Sequence, residues 1–212
     1  MGPQTTGRAE LGTDLSGWIE ARFDRTRPDA PWEAAVRLTG VLGRNYDAFG
    51  CLFGVRNYAG FEPVAAGRGV PDDCSDEVRR DLPEFEPPYA PFGSTWLTAT
   101  ELAGIDWDER ALRPDLRLHR YRRTGSGELV FESKSVWDRD LAAVWEQRDL
   151  GDSARQYAEG TEWRTDDLVF RAETIRRRDA VDANWWLVFR QLDDLAERVG
   201  GDNVRMVVWF DD

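Results

Sequence analysis

The chain has 212 residues, 41% of them apolar, which is enough to build a real core. Forty acids against 28 bases leave a net charge of −12, which argues against a nucleic-acid backbone or an anionic membrane as the main partner, because both need a cationic face. Lys134 is the only lysine, so nearly all the positive charge is arginine, and ten tryptophans add large rings to the 12% aromatic content.

No run of eighteen apolar residues exists, so no membrane span is expected. The opening MGPQTTGRAELGTD lacks a basic-then-apolar leader, and Cys51 and Cys74 are too few for a disulfide framework. Reduced thiols and cytoplasmic residence are the corresponding expectations. The length suits a disordered lead-in over 1–10 and a single domain over 11–212.

In chain order, GWIEARFD places Ile19, Ala21 and Phe23 on one face, and WEAAVRL does the same for Trp32, Ala34, Val36 and Leu38. The turn-rich TRPDAP between them predicts a β-hairpin. Residues 44–57, RNYDAFGCLFGVRN, predict a buried helix with Asn45 as N-cap and Asp47 in its first turn. A long Gly/Pro/acid-rich loop follows over 58–95, broken by a short helix that Ser75 caps and that runs to about Asp81. Thr98 and Glu101 form a capping box for a helix to Ala103, closed by Gly104.

LRLHRYRR and ELVFESKSVW flank Thr124-Gly125-Ser126-Gly127 and predict a second hairpin. From 138 to 180 the pattern is charged and weak; Leu141, Val144 and Trp145 suggest one amphipathic helix in a variable or mobile insertion. Asp182 caps a helix with an apolar stripe of Trp185, Phe189, Leu192, Leu195 and Val199. Gly200-Gly201 stops it, and VRMVVWF, apolar on both faces, is expected as a central strand. The fold class is therefore α+β: a mainly antiparallel sheet with β-hairpins, a buried central helix and a C-terminal helix–strand unit.

Five collinear stretches carry a resemblance: LGTDLSGWIE at 11–20, RNYDAFGCLFGVRN at 44–57, GRGVPDDCSDE at 67–77, STWLTATEL at 94–102 and VRMVVWFDD at 204–212. They resemble an uncharacterised family of bacterial and phage proteins that opens with Met-Gly-Cys-Asp-Ile-His and carries a His-Ser-x-Ser-Trp-Leu-Thr segment. The resemblance implies an α+β fold and a polar or metal site built from separated loops. This chain departs from the pattern at those positions: Thr13 and Ser16 replace the cysteine and first histidine, Phe92 and Ser94 fall on the later histidines, and Asp14 alone remains. One carboxylate cannot hold a transition metal, so neither a metal nor a cofactor is expected.

His119, the only imidazole, alternates with Leu116, Leu118 and arginines and reads as a lone exposed strand histidine; no local motif supplies the orienting acid or nucleophile that a general base needs. Cys51 reads as a small core residue, and Asp72 and Asp73 are expected to raise the Cys74 thiol. No catalytic residue is assigned. In GRGVPDD, Gly67 and Gly69 leave Arg68 presented either as a bidentate clamp for a phosphate or carboxylate, or in a surface turn paired to Asp72 or Asp73. Asp14, Asn45, Arg56, Asn57, Arg68 and Ser94 are the candidate ligand-binding set, and Trp186, beside the core-facing Trp185, is a candidate interface anchor or part of a wide buried face.

Three functions follow in order. The first is a non-enzymatic acidic interaction protein, phage- or mobile-element-associated by the resemblance, that binds a protein or small-molecule partner. The second is a hydrolase or transferase acting on a phosphorylated or nucleotide-like ligand through Asp14 and Arg68. The third is a DNA mimic, which the arginines interrupting the acidic pairs disfavour.

Overall fold

A computed structural model describes residues 12–27, 29–82, 92–136 and 156–212. The expected lead-in over 1–10 and the helix around Leu141, Val144 and Trp145 lie outside the described residues. The fold is α+β, with two four-stranded antiparallel sheets in two compact units, one of residues 1–44, 67–102 and 187–212, the other of residues 45–66 and 103–186.

The first unit is organised by a strand that is last in sequence and interior in space. β1 (Asp14–Ala21), β2 (Glu33–Arg37), β3 (Phe92–Thr98) and β8 (Val204–Asp211) lie in the order β2-β1-β8-β3. The unbroken apolar run predicted a strand covered on both faces, and seven of the eight β8 residues are buried. On one face Val207 and Trp209 cluster with Cys74 and Val78, and Trp18 and Trp96 pack against them. On the other face Leu15, Ile19, Leu97, Met206, Val208 and Phe210 are buried.

The first hairpin forms as expected, except that Phe23 lies beyond β1 and is 46% exposed, because the chain leaves the sheet after Ala21. Helix α2 (Asp76–Asp81) is capped by Ser75, whose hydroxyl accepts the Val78 N–H. Helix α3 (Ala99–Ala103) opens on the predicted box: the Glu101 N–H donates to Thr98 Oγ1, and the Thr98 N–H donates to the Glu101 carboxylate.

Gly17 permits the close approach of β1 to β8. A Cβ there would lie 2.3 Å from the Val207 carbonyl oxygen, a main-chain atom of the interior strand that cannot step aside. Gly17→Ala is expected to cost about 1–3 kcal/mol, read as a lowered urea midpoint with an unchanged m-value.

The second unit holds β4 (Leu118–Arg123), β5 (Leu129–Ser135), β6 (Glu162–Arg164) and β7 (Leu168–Arg171) in the order β5-β4-β7-β6. The hairpin of β4 and β5 matches expectation, whereas β6 and β7 fall in a stretch read only as charged and weak. β7 is buried at Leu168, Val169 and Phe170, and Leu168 and Phe170 form a small core with Leu118 and Ala172 that Tyr157 and Trp163 flank.

Helix α1 (Tyr46–Phe53) has the predicted Asn45 cap and six buried residues. It stops short of Asn57 because Gly54, at φ 76°, turns left-handed and closes the last turn onto the Gly50 and Phe49 carbonyls. A short helix α4 (Arg177–Ala180) precedes α5 (Ala183–Val199), whose first N–H groups are accepted by the Asp182 carboxylate. No helix among the described residues is long and apolar enough to cross a membrane.

Candidate functional site

The candidate residues of the first unit are held in separate internal pairs. Asp14 stands at the start of β1, and its two carboxylate oxygens accept from Arg44 Nε at 2.7 Å and Nη2 at 2.8 Å. The Arg44 hydrogen bonds hold the Asp14 carboxyl below its ordinary value, and the side chain is 58% exposed. Arg68 does sit between two glycines with positive φ, at 63° and 76°, as the clamp reading requires. Its guanidinium, however, is not paired to Asp72 or Asp73. It donates to both oxygens of Glu101, at 3.0 and 2.7 Å, and to the Trp96 carbonyl, and it lies 4.9 Å from the Trp96 ring centroid. The residue that stabilises α3 thus also fills the fork that a ligand carboxylate would occupy. Ser94 contributes its carbonyl to the Gly69 N–H, fastening this loop to β3.

Across from Asp14 in the β1–β8 register is Asp211. Burial and then the neighbouring Asp14 charge raise the Asp211 carboxyl above its ordinary value, and its Oδ1 is buried without a hydrogen-bond partner among the described residues. Two facing carboxyls are therefore shifted in opposite directions. The sequence offered Asp211 only as half of an acidic pair, with nothing local to mark Asp14 as its neighbour.

In the second unit Asn45 and Asn57 do structural work. Asn45 caps α1 and donates to Asp182, while Asn57 Oδ1 accepts the Gly60 and Phe61 N–H groups and its Nδ2 donates to the Phe61 carbonyl. Arg56 is the one non-glycine residue with positive φ among the described residues, at 52°, in the turn that follows Gly54. Trp186 is half-buried rather than fully outside the core stripe, with its ring 4.8 Å from that of Trp107.

His119 is the largest departure from expectation, 3% exposed instead of open to solvent. Its Nδ1 donates to Glu173 Oε2 at 3.1 Å, since a carboxylate only accepts, and the Tyr121 hydroxyl donates to the same oxygen at 2.6 Å. Burial, and then the Glu173 carboxylate, raise the Tyr121 hydroxyl far above its ordinary value. Nε2 is buried without a hydrogen-bond partner among the described residues, 3.7 Å from Asp115 Oδ2. Asp115, fully buried, also accepts from Arg117 at 2.7 Å and lies 3.5 Å from Lys134, and both cations reach Asp47 as well. The orienting acids that sequence reasoning found missing are thus present, but Glu173 comes from 54 residues away. With His119 and Asp115 enclosed, the arrangement braces β4, β5 and α1 and presents no open base.

Both cysteines are buried. Burial pushes the Cys51 thiol up to about 11, and burial also leads the rise at Cys74, with Glu20 rather than Asp72 or Asp73 as the contributing charge. No group of three or more His, Cys, Asp or Glu side chains suited to a metal occurs among the described residues.

One open groove of 510 Å³ lies within the first unit between β2 and α2. Its lining mixes carboxylates (Glu33, Asp76 and Glu77) with the guanidinium groups of Arg79 and Arg80. No family model, curated protein or solved structure matches the chain.

Proposed function

We propose that the protein works by binding, as a non-enzymatic interaction protein whose surface rather than a reactive centre does the work. One observation carries this reading: the two groups that a hydrolase or transferase would use are each taken up by an internal partner, Asp14 by Arg44 and Arg68 by Glu101. A guanidinium already in a bidentate carboxylate pair must give up that pair before it can clamp a ligand phosphate. The resemblance in the N-terminal half adds a phage or mobile-element setting to the proposal.

A second reading, a hydrolase, draws on the facing Asp14 and Asp211 carboxyls with their opposed shifts. One experiment separates the two. Tagged full chain and an Asp14→Asn variant are passed through host extract with cross-linking and mass spectrometry, and both are assayed against phosphorylated and nucleotide-like substrates. Binding predicts one stoichiometric partner captured equally by both proteins and no turnover by either. Turnover that disappears in a folded Asp14→Asn variant would establish the hydrolase instead.

A further inference from the structure

We infer that Asp14 and Asp211 act together as a pH-sensitive fastening between β1 and β8: the ends of the two strands are held while Asp211 carries a proton and part when it ionises. This goes beyond the binding role proposed above and does not depend on it.

The geometry makes an ionised Asp211 costly. It stands opposite Asp14 in the antiparallel register, so two carboxyls meet across one strand pair, where like charges repel. Its Oδ1 is buried with no hydrogen-bond partner among the described residues. A carboxylate oxygen placed this way has lost its water and gained no donor, which favours the neutral form. The nearby cation serves the other member of the pair, since Arg44 donates from Nε and Nη2 to the two Asp14 oxygens.

Among the described residues the charged groups acting on Asp211 are Asp14 on β1, Asp212 next along the chain and Arg44 between β2 and α1; β3 carries no ionisable side chain. Burial, and then Asp14, raise the Asp211 carboxyl above its ordinary 3.8, Asp212 adds to the rise and Arg44 opposes it. A carboxyl raised in the folded state contributes stability that is complete below the unfolded value and is lost as pH climbs through the folded one. Asp14, held low by Arg44, stays ionised across that interval.

An ionised Asp211 is relieved by lifting the strand end into water. The next register pair is Leu15 with Phe210, and Phe210, fully buried, has its ring centroid 6.3 Å from that of the exposed Phe92 on β3. Parting of the strand ends therefore uncovers an aromatic contact as pH rises. Further along the same strands Ile19 lies opposite Met206, both fully buried and neither ionisable, and that pair stays closed.

Hydrogen exchange of the full chain, corrected for intrinsic rates and read at about pH 4.5 and about pH 7.5, tests the fastening. Protection over residues 14–16 and 209–211 is expected to fall about tenfold from the lower pH to the higher, with residues 18–20 and 205–207 unchanged. Asp211→Asn keeps the side-chain shape and cannot ionise, so it should hold the higher protection at both pH values. Asp14→Asn removes the facing charge and leaves Arg44 to pair with Asp211, so the pH dependence should shrink. Equal loss of protection along both strands would be a global effect and would overturn the device. So would a pH dependence that survives in Asp211→Asn or is undiminished in Asp14→Asn. Protection lost at both pH values in Asp211→Asn would make the carboxyl a structural acceptor and overturn it as well.

Discussion

Arg205→Met is expected to lower the unfolding free energy of the first unit by about 3–5 kcal/mol. Arg205 lies on the interior strand β8, 5% exposed, and donates from Nε to Glu20 on β1 at 2.9 Å. Glu20, fully buried, takes the Ser75 N–H on its other oxygen at 2.6 Å. Through Nη1 the same guanidinium reaches Asp73, and its plane covers Trp32. Methionine replaces much of the volume but leaves the Glu20 carboxylate buried with no cation, which is what makes breaking such a pair far more costly than never having built it. The double variant Glu20→Gln/Arg205→Met separates these effects: it removes the stranded charge, keeps an acceptor for the Ser75 N–H, and should recover part of the loss. Urea unfolding of the two single variants and the double variant gives the coupling directly, and a double variant no more stable than Arg205→Met would overturn the explanation.

Asp115→Asn is expected to cost the second unit a similar amount, about 3–5 kcal/mol, because one enclosed carboxylate balances Arg117, with Lys134 and His119 close by. Burial alone would push the Asp115 carboxyl up; the His119 and Arg117 contacts outweigh it and hold the group well below its ordinary 3.8. A carboxyl depressed in the folded state contributes stability that is complete above the unfolded value and is lost as pH falls toward the folded one. Wild-type protein should therefore lose stability on acidification below about pH 4, and Asp115→Asn should show a shallower acid slope along with its lower stability at neutral pH. Parallel slopes in thermal scans across that range would place the acid sensitivity elsewhere.

Features written within a few residues were legible from the sequence. The Ser75 cap, the Thr98–Glu101 box, the Thr124–Gly127 turn and the Asp182 cap each depend on contacts that a short window contains, and all four appear. β8 was legible because burial on both faces leaves a run with no polar alternation. β6 and β7 were not: three and four residues are too few to set a period, and the charged residues around them hide three buried side chains. Arg68 was assigned the nearest acids in sequence, but the two positive-φ glycines turn the loop toward β3, where Glu101 waits 33 residues on. His119 shared its strand with buried leucines, and the same alternation describes an exposed imidazole or one covered by Glu173 and Phe131 from other strands and loops. The groove left no local mark at all, since its lining, from residues 31–34 and 73–80, is assembled only once β2 and α2 are in place.

The register that joins β1 to β8 spans on the order of 190 residues of chain. During vectorial synthesis at 5–20 residues per second, the first hairpin emerges roughly 10–40 s before the segment that must lie beside it. For that interval Leu15 and Ile19 lack the strand they lie beside, and β1 and the later β3, which do not pair with each other, have no shared template until β8 emerges. A nascent polypeptide in this condition is a substrate for holdases, so yield in a recombinant host should respond to chaperone supply more than to promoter strength.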